Sequence, residues 1–186
     1  MAVDVTNLIA GPGTLYTGAF GATEPADSAV NTTPSASTWT DVGATQDGVT
    51  LNVVQEFFEL EVDQIVDVPG RRLTKRDLQI QTNMAEPTLA NLALALNGGT
   101  VAASSGYSTY EPSDDTSATQ PTYKALIFDG YAPEGLRRRV VARKALSIEG
   151  VEASYQKDEQ TLFPVTFACH FVSTSIKPFR VIDQTT

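Results

Sequence analysis

Three separate stretches of this chain alternate apolar and polar residues, and that alternation restricts the fold more than any other feature. Val49, Leu51 and Val53 are separated by polar residues, and the same two-residue period returns over residues 78–84 and 162–173. Because successive side chains of a strand point to opposite faces of a sheet, this period predicts half-buried β-strands. The chain is therefore predicted to be mainly β.

Further elements complete this architecture. A Pro-Gly turn predicts a long hairpin over residues 57–83, and a β-bulge near Gln55 would absorb a one-residue shift in apolar parity. Residues 86–98 have helical spacing, with a proline in the first turn and glycines after the last. Additional strands are predicted at residues 123–128, 136–148 and 162–173, and residues 176–183 are expected to form a final strand or an arm. We therefore predict a β-sandwich or partly open barrel with one short flanking α-helix.

The first 46 residues differ in composition from the rest. Small residues and prolines dominate there, so residues 1–46 are predicted to form an extended N-terminal arm or loop beside a β-sandwich domain at residues 47–186. The arm carries isolated apolar residues, some of which are expected to dock on a neighbouring surface: Leu8, Ile9, Leu15, Tyr16, Phe20 and Trp39. The Ser, Thr and Pro-rich segment 103–122 is predicted to be an exposed loop.

Charge and cysteine content narrow the functional classes. The net charge is -9, from 22 acidic and 13 basic residues, which disfavours tight binding to a phosphate backbone. The single cysteine cannot form an intrachain disulfide. The first residues lack a signal-peptide pattern, and no apolar run is long enough for a membrane segment. We therefore expect a soluble protein that is made in a cytoplasm.

Residues that could carry chemistry do not occur in catalytic patterns. His170, the single histidine, lies in an apolar strand, and no Gly-x-Ser-x-Gly elbow is present, which favours a core or edge histidine. The adjacent Cys169 would point to the opposite face of that strand, where it is expected to pack as a small hydrophobe. The acidic residues of segment 56–63 alternate with apolar ones and lack a calcium-loop pattern. We expect no enzymatic activity, no cofactor and no metal site.

The predicted hairpin has a polar face and a charged tip. Carboxylates of its first strand and amides of its return strand would share one hydrated face: Glu59, Glu61, Asp63, Gln79, Gln81 and Asn83. The tip and the residues next to it carry polar and basic side chains: Gln64, Asp67, Arg71, Arg72, Lys75 and Arg76. A basic tip on a long hairpin favours contact with an acidic partner surface.

Basic residues also concentrate in the strand predicted at residues 136–148. Consecutive arginines on a strand point to both faces, so they cannot form one phosphate-binding stripe. Two interpretations stay open. Arg137, Arg139 and Arg143 could form ion pairs with carboxylates at a subunit boundary, or the strand could be a solvated edge.

The block at residues 39–51 (WTDVGATQDGVTL), the acidic hairpin and the helical segment 86–98 together resemble major tail tube proteins of long-tailed bacteriophages. The resemblance covers the order of elements over residues 39–184. It implies a β-sandwich with one helix, six copies that close into a ring, and rings that stack into a hollow tube through which the genome passes. In that setting the hydrated hairpin face is expected to line the lumen, and residues 64–76 are expected to contact the next ring.

The resemblance also implies a location and a set of partners. The protein would act in the virion tail, after assembly in the host cytoplasm, with further copies of itself and with the tape measure, tail terminator and tip proteins. DNA would pass through the tube without specific binding. Other classes stay open on the residues alone: a tube protein of a contractile tail or injection system, a carbohydrate- or receptor-binding β-module, and a hydrolase with an atypical site.

Overall fold

The computed structural model describes residues 3–113 and 120–185, and its elements are mostly strands. In these residues the strands, in chain order, are β1 Thr14–Ala19, β2 Trp39–Asp41, β3 Thr45–Leu60, β4 Gly70–Met84, β5 Thr100–Ser104, β6 Tyr107–Glu111, β7 Lys124–Tyr131, β8 Arg137–Ser147, β9 Phe163–Cys169 and β10 Phe179–Asp183. One α-helix, α1, spans Leu89–Ala95. Short 3-10 turns occupy Val5–Asn7, Asp27–Ala29 and Pro133–Gly135. The prediction of a mainly β chain with one helix is confirmed.

All strands except β5 and β6 belong to one antiparallel sheet that branches at β8. The strand order is β2-β1-β7-β8-β9-β4-β3, and β10 also pairs with β8. β10 lies along residues 138–142 of β8, whereas β9 lies along residues 145–147. The outer strands β2 and β3 do not pair with each other, so the sheet stays open. The result is a sandwich-like arrangement that does not close into a barrel.

The main core lies between the two halves of this sheet. One half contributes buried residues such as Leu15 and Leu126, and the other contributes Ile80 and Phe167. All four of these side chains are fully buried. Helix α1 covers one side of the core with Leu94 and Ala95. Burial of this apolar surface is the main force that holds the two halves together.

Part of the predicted N-terminal arm forms strands of the main sheet. β1 pairs with β2 and β7, and Trp39 is only 2% exposed. A Cβ atom on Gly18 would lie 2.9 Å from the Trp39 ring, so the small residue leaves room for the indole. Leu15 and Trp39 thus pack within their own subunit and not on a neighbour. Residues 3–13, by contrast, contain no strand; apart from the 3-10 turn Val5–Asn7 they are irregular, and they are mostly exposed.

Helix α1 is shorter than the predicted 86–98 because polar groups fix both of its ends. The Thr88 side chain accepts a hydrogen bond from the Asn91 backbone N–H at 3.2 Å, which caps the first turn. After the last turn, Asn97 adopts a left-handed φ of 59°. Its side-chain amide exchanges two 2.7 Å hydrogen bonds with the backbone of Ser147. These contacts attach the helix to the end of β8.

Segment 103–122, predicted as a loop, contains part of a small hairpin. β5 and β6 pair in register from Thr100 opposite Glu111 to Ser104 opposite Tyr107. Gly106, with φ of 86°, supplies the left-handed residue of the turn. The hairpin is largely exposed, as expected for the segment. Residues 114–119 of the predicted loop lie outside the described residues.

Candidate assembly surfaces

The β3–β4 hairpin extends beyond the folded body. Near the body, one face of the return strand β4 packs in the core, where Leu78, Ile80 and Met84 are buried. Toward the tip, from about residue 53 to residue 76, every residue but Gly70 is exposed. The exposed residues include large apolar side chains, with Phe57 at 52% and Phe58 at 62%. Exposed apolar surface of this extent is typical of an interaction site.

Two irregularities determine which hairpin side chains share a face. The pairing shifts first between Gln46 and Val49, where Asp47 and Gly48 both have positive φ. It shifts again between Glu56 and Phe57, and there the extra residue is Thr74 on β4. A bulge therefore occurs close to Gln55, as predicted, but its extra residue lies on the return strand and not on the first strand. Because β3 itself has no insertion after Val49, its side chains alternate without interruption from Val49 to Leu60.

This register separates the residues that were predicted to share one hydrated face. Gln79, Gln81 and Asn83 lie on the outward face of the sheet, opposite the face that holds Ile80 in the core. Glu59 lies on the other face, because its partner Arg71 and the neighbouring Phe57–Leu73 pair continue the core-facing side of the hairpin. Glu61 and Asp63 follow the end of β3 in the loop.

The predicted tip residues divide between ion pairs and an apolar loop. Arg71 donates to Glu59 at 2.6 Å, and Lys75 donates to Glu56 at 3.2 Å. Both pairs are exposed, so each contributes little stability. Gln64 and Asp67 lie in the loop at residues 61–69, together with exposed apolar residues: Val62, Ile65, Val66 and Val68. The two adjacent apolar residues Ile65 and Val66 are the sequence feature that could have identified this loop as apolar.

Arg139 is buried inside the subunit. It is 1% exposed, and its Nε and Nη2 atoms donate to the two carboxylate oxygens of Asp129, each at 2.6 Å. The same guanidinium donates to the backbone carbonyls of Ala29 at 3.2 Å and Thr32 at 2.7 Å. Arg139 thus fastens the segment around residues 27–34 onto the sheet. This contact differs from the predicted role at a subunit boundary.

The other arginines of β8 also find partners within the chain. Arg143 donates to both Glu24 carboxylate oxygens, at 2.5 and 3.0 Å, and this hydrogen bonding raises its pKa. Arg138 forms a bidentate pair with Asp183 at 2.6 and 2.7 Å, which lowers the pKa of that carboxyl. The Arg137 guanidinium lies 4.7 Å from the centre of the Tyr131 ring. Sequence reasoning missed Glu24 and Asp183 as partners because they are distant from β8 along the chain.

The outer edge of β3 is open along its length. This strand has 16 residues, and no strand pairs with its second edge in the part of the chain that the structure describes. Backbone N–H and C=O groups on an open edge form a template for another strand. A long open edge of this kind, next to exposed apolar side chains, favours pairing with another chain.

Cys169 and His170, the two residues considered for nucleophilic or acid–base chemistry, do not form a reactive site. Burial raises the pKa of Cys169 to about 12, so its thiol stays protonated at neutral pH. His170 packs edge-on against the Tyr123 ring at 5.3 Å. Within residues 3–113 and 120–185, no cluster of three metal-ligating side chains occurs. No helix in those same ranges has the length and apolarity to cross a membrane.

Comparison with known proteins finds a family match over nearly the whole chain. The phage tail tube protein family model matches residues 1–185, which is nearly the whole chain. Among curated proteins, none matches this sequence significantly. This family match supports a structural role in the phage tail tube. This chain belongs to the phage tail tube protein family.

Proposed function

We propose that six copies of this chain close into a ring, and that the rings stack into the hollow tail tube that conducts phage DNA into the host. The observation that carries this proposal is the β3–β4 hairpin, which projects from the body with exposed apolar side chains and an open edge. Neither the exposed apolar side chains nor the open edge stabilises an isolated monomer in water. An assembly of identical subunits covers both.

The open edge of β3 supports closure of the ring. In a ring of identical subunits, each contact joins one surface of a subunit to a different surface of the next. Pairing the β3 edge with a strand of the neighbour satisfies its backbone groups and removes an aggregation-prone edge. When the rotation closes, every such edge in the ring is covered.

The length of the hairpin supports stacking. Its exposed strand from Val53 to Leu60 holds eight residues, which corresponds to roughly 25 Å of extended chain. A projection of that length reaches past the subunit body to a neighbouring ring. The predicted inter-ring residues Arg71, Arg72, Lys75 and Arg76 lie on this part, and the apolar loop at residues 61–69 lies at its end.

The outward face of β3 and β4 is our candidate for the wall of the lumen. It presents amide and hydroxyl side chains: Thr50, Asn52, Gln79, Gln81 and Asn83. Glu59 falls outside this wall because it faces the other way and pairs with Arg71. Glu61 and Asp63, in the loop, would lie at the rim. A wall with few cations on a subunit of net charge -9 lets DNA slide without sticking.

A structural role as a tube subunit requires no catalysis. The finished tube exposes the hairpins at one end and the surfaces that receive them at the other, so distinct terminator and tip proteins are needed to cover the two ends. The tape measure protein would occupy the lumen before the DNA does. We propose that the tube is assembled in the host cytoplasm around it.

The test is a variant that lacks the distal hairpin. Gln55 and Arg76 are cross-strand partners, so residues 56–75 can be replaced by an Asn-Gly turn without altering the pairing below them. The variant is expected to fold and to keep the emission of Trp39, but not to form stacked tubes under the electron microscope. Replacing the exposed β5–β6 turn by the same dipeptide is the matched control and should leave tubes intact. Normal tubes from the hairpin variant would refute the assignment.

A further inference from the structure

The distal part of the β3–β4 hairpin exposes an aromatic side chain on each of its faces. Phe57 is paired opposite Leu73, on the face that packs on the core nearer the body. Phe58 is paired opposite Arg72, on the opposite face. The two phenylalanines are 52% and 62% exposed. A hairpin that lay flat on one neighbour would cover one of them and leave the other in water.

The two faces have a similar composition. We call the first the core-side face; it carries Val53, Gln55, Phe57, Glu59, Arg71, Leu73 and Arg76. The second, the opposite face, carries Val54, Glu56, Phe58, Leu60, Arg72 and Lys75. Each face therefore has an apolar centre and one internal ion pair, Glu59–Arg71 or Glu56–Lys75. Each is built as a contact surface.

Each face also carries one arginine that takes part in neither of the two internal ion pairs. Arg76 on the core-side face and Arg72 on the opposite face have no ion-pair partner among the residues that the structure describes. Residues 53–76 hold five acidic and four basic residues, so -8 of the net charge of -9 lies elsewhere in the chain. The rest of each copy therefore carries a net negative charge, which attracts both arginines.

We propose that each hairpin is inserted between two further copies of this chain, one covering the core-side face at Phe57 and the other covering the opposite face at Phe58. The proposal rests on the proposed tube and specifies how its subunits are joined. One hairpin then connects three subunits, so a stacked ring cannot be lost by breaking a single pairwise contact.

Photo-cross-linking of assembled tubes tests this arrangement. A photoreactive phenylalanine analogue is placed at position 57 or at position 58, in tubes that contain equal parts of isotopically light and heavy subunits. Mixed-isotope peptides identify cross-links between copies. The two positions are expected to capture separate, non-overlapping segments of neighbouring subunits. Capture of the same segment by both positions, or capture by only one of them, would overturn the proposal.

Substitution gives a second, independent measurement. Phe57→Ser and Phe58→Ser are each expected to raise the subunit concentration needed for tube growth by roughly thirtyfold, because each removes a central anchor of a different interface. Phe171→Ser, at a similarly exposed phenylalanine outside the hairpin, is the control and should change it by less than about threefold. No effect from one hairpin substitution would contradict two-sided contact. If the unaltered protein forms no tubes, the proposed function itself fails, which distinguishes the two outcomes.

Discussion

Removing the Arg139 guanidinium should destabilise the isolated subunit strongly. Arg139→Met keeps a long apolar side chain but leaves the Asp129 carboxylate and two backbone carbonyls without their donor. Breaking a buried ion pair from one side costs about 3–5 kcal/mol. The Asp129 side chain is 17% exposed and can recover some hydration, so we expect the lower end, about 3 kcal/mol.

The assay is urea unfolding of the hairpin-shortened subunit, which keeps assembly out of the measurement. Trp39 is the single tryptophan and is buried in an apolar cluster that also contains Val141 of β8, so its fluorescence reports on this region. For a chain of this size the loss corresponds to a decrease in Tm of roughly 6–12 °C. Arg138→Met, which breaks the more exposed pair with Asp183, is the control and should cost at most about 1 kcal/mol.

The reasoning would be refuted by equal effects of the two substitutions on the free energy of unfolding. In that case Arg139 would not stabilise the subunit from within. A loss of tube formation with unchanged subunit stability would instead support the sequence-based prediction that Arg139 pairs across a subunit boundary. Replacing Arg139 and Asp129 together by apolar residues should recover much of the stability, since no buried charge is then left unpaired.

Three further predictions concern single contacts. Asn97→Ala should lower the free energy of unfolding by about 1–3 kcal/mol in a urea titration, because both backbone groups of Ser147 lose their partner; an unchanged midpoint would contradict the contact. Since Arg138 lowers the pKa of Asp183 in the folded state, this pair stabilises the fold above about pH 4, and the contribution is lost as the pH falls through the lowered value; Asp183→Asn should therefore reduce the loss of stability in acid, and an identical pH profile would exclude the pair. Cys169 should not react with a thiol reagent at pH 8 until the chain unfolds, whereas rapid labelling of the native protein would contradict a pKa of about 12.

The alternation of residues was sufficient to predict most of the strands, but not the sheet register. The parity shift after Val53 can be absorbed by an extra residue on either strand of the hairpin. The structure places the extra residue at Thr74, which moves Glu59 away from the face of Gln79. β1 escaped detection because Gly18, which makes room for Trp39, interrupts the apolar pattern. Both errors arise from contacts between residues that are distant in sequence.

The arginines of β8 show the same limit of sequence-based prediction, here for the partners of ion pairs. Their number indicated that carboxylate partners were needed, and that inference agrees with the pairs formed by Arg138, Arg139 and Arg143. The choice of carboxylate partner depends on the fold, because Glu24, Asp129 and Asp183 lie next to the arginines of β8 only when the tertiary structure is formed. Composition therefore predicted the kind of contact, and only the tertiary structure located it within the subunit.

The central claim is that this subunit assembles through its hairpin into stacked rings, and electron cryomicroscopy of the concentrated purified protein tests it most directly. We predict hollow tubes with six subunits per ring, with residues 61–69 of each hairpin in contact with the adjacent ring and Gln79, Gln81 and Asn83 lining the lumen. Monodisperse monomers that persist at high concentration, or tubes in which the hairpin points to the outer surface, would contradict the claim.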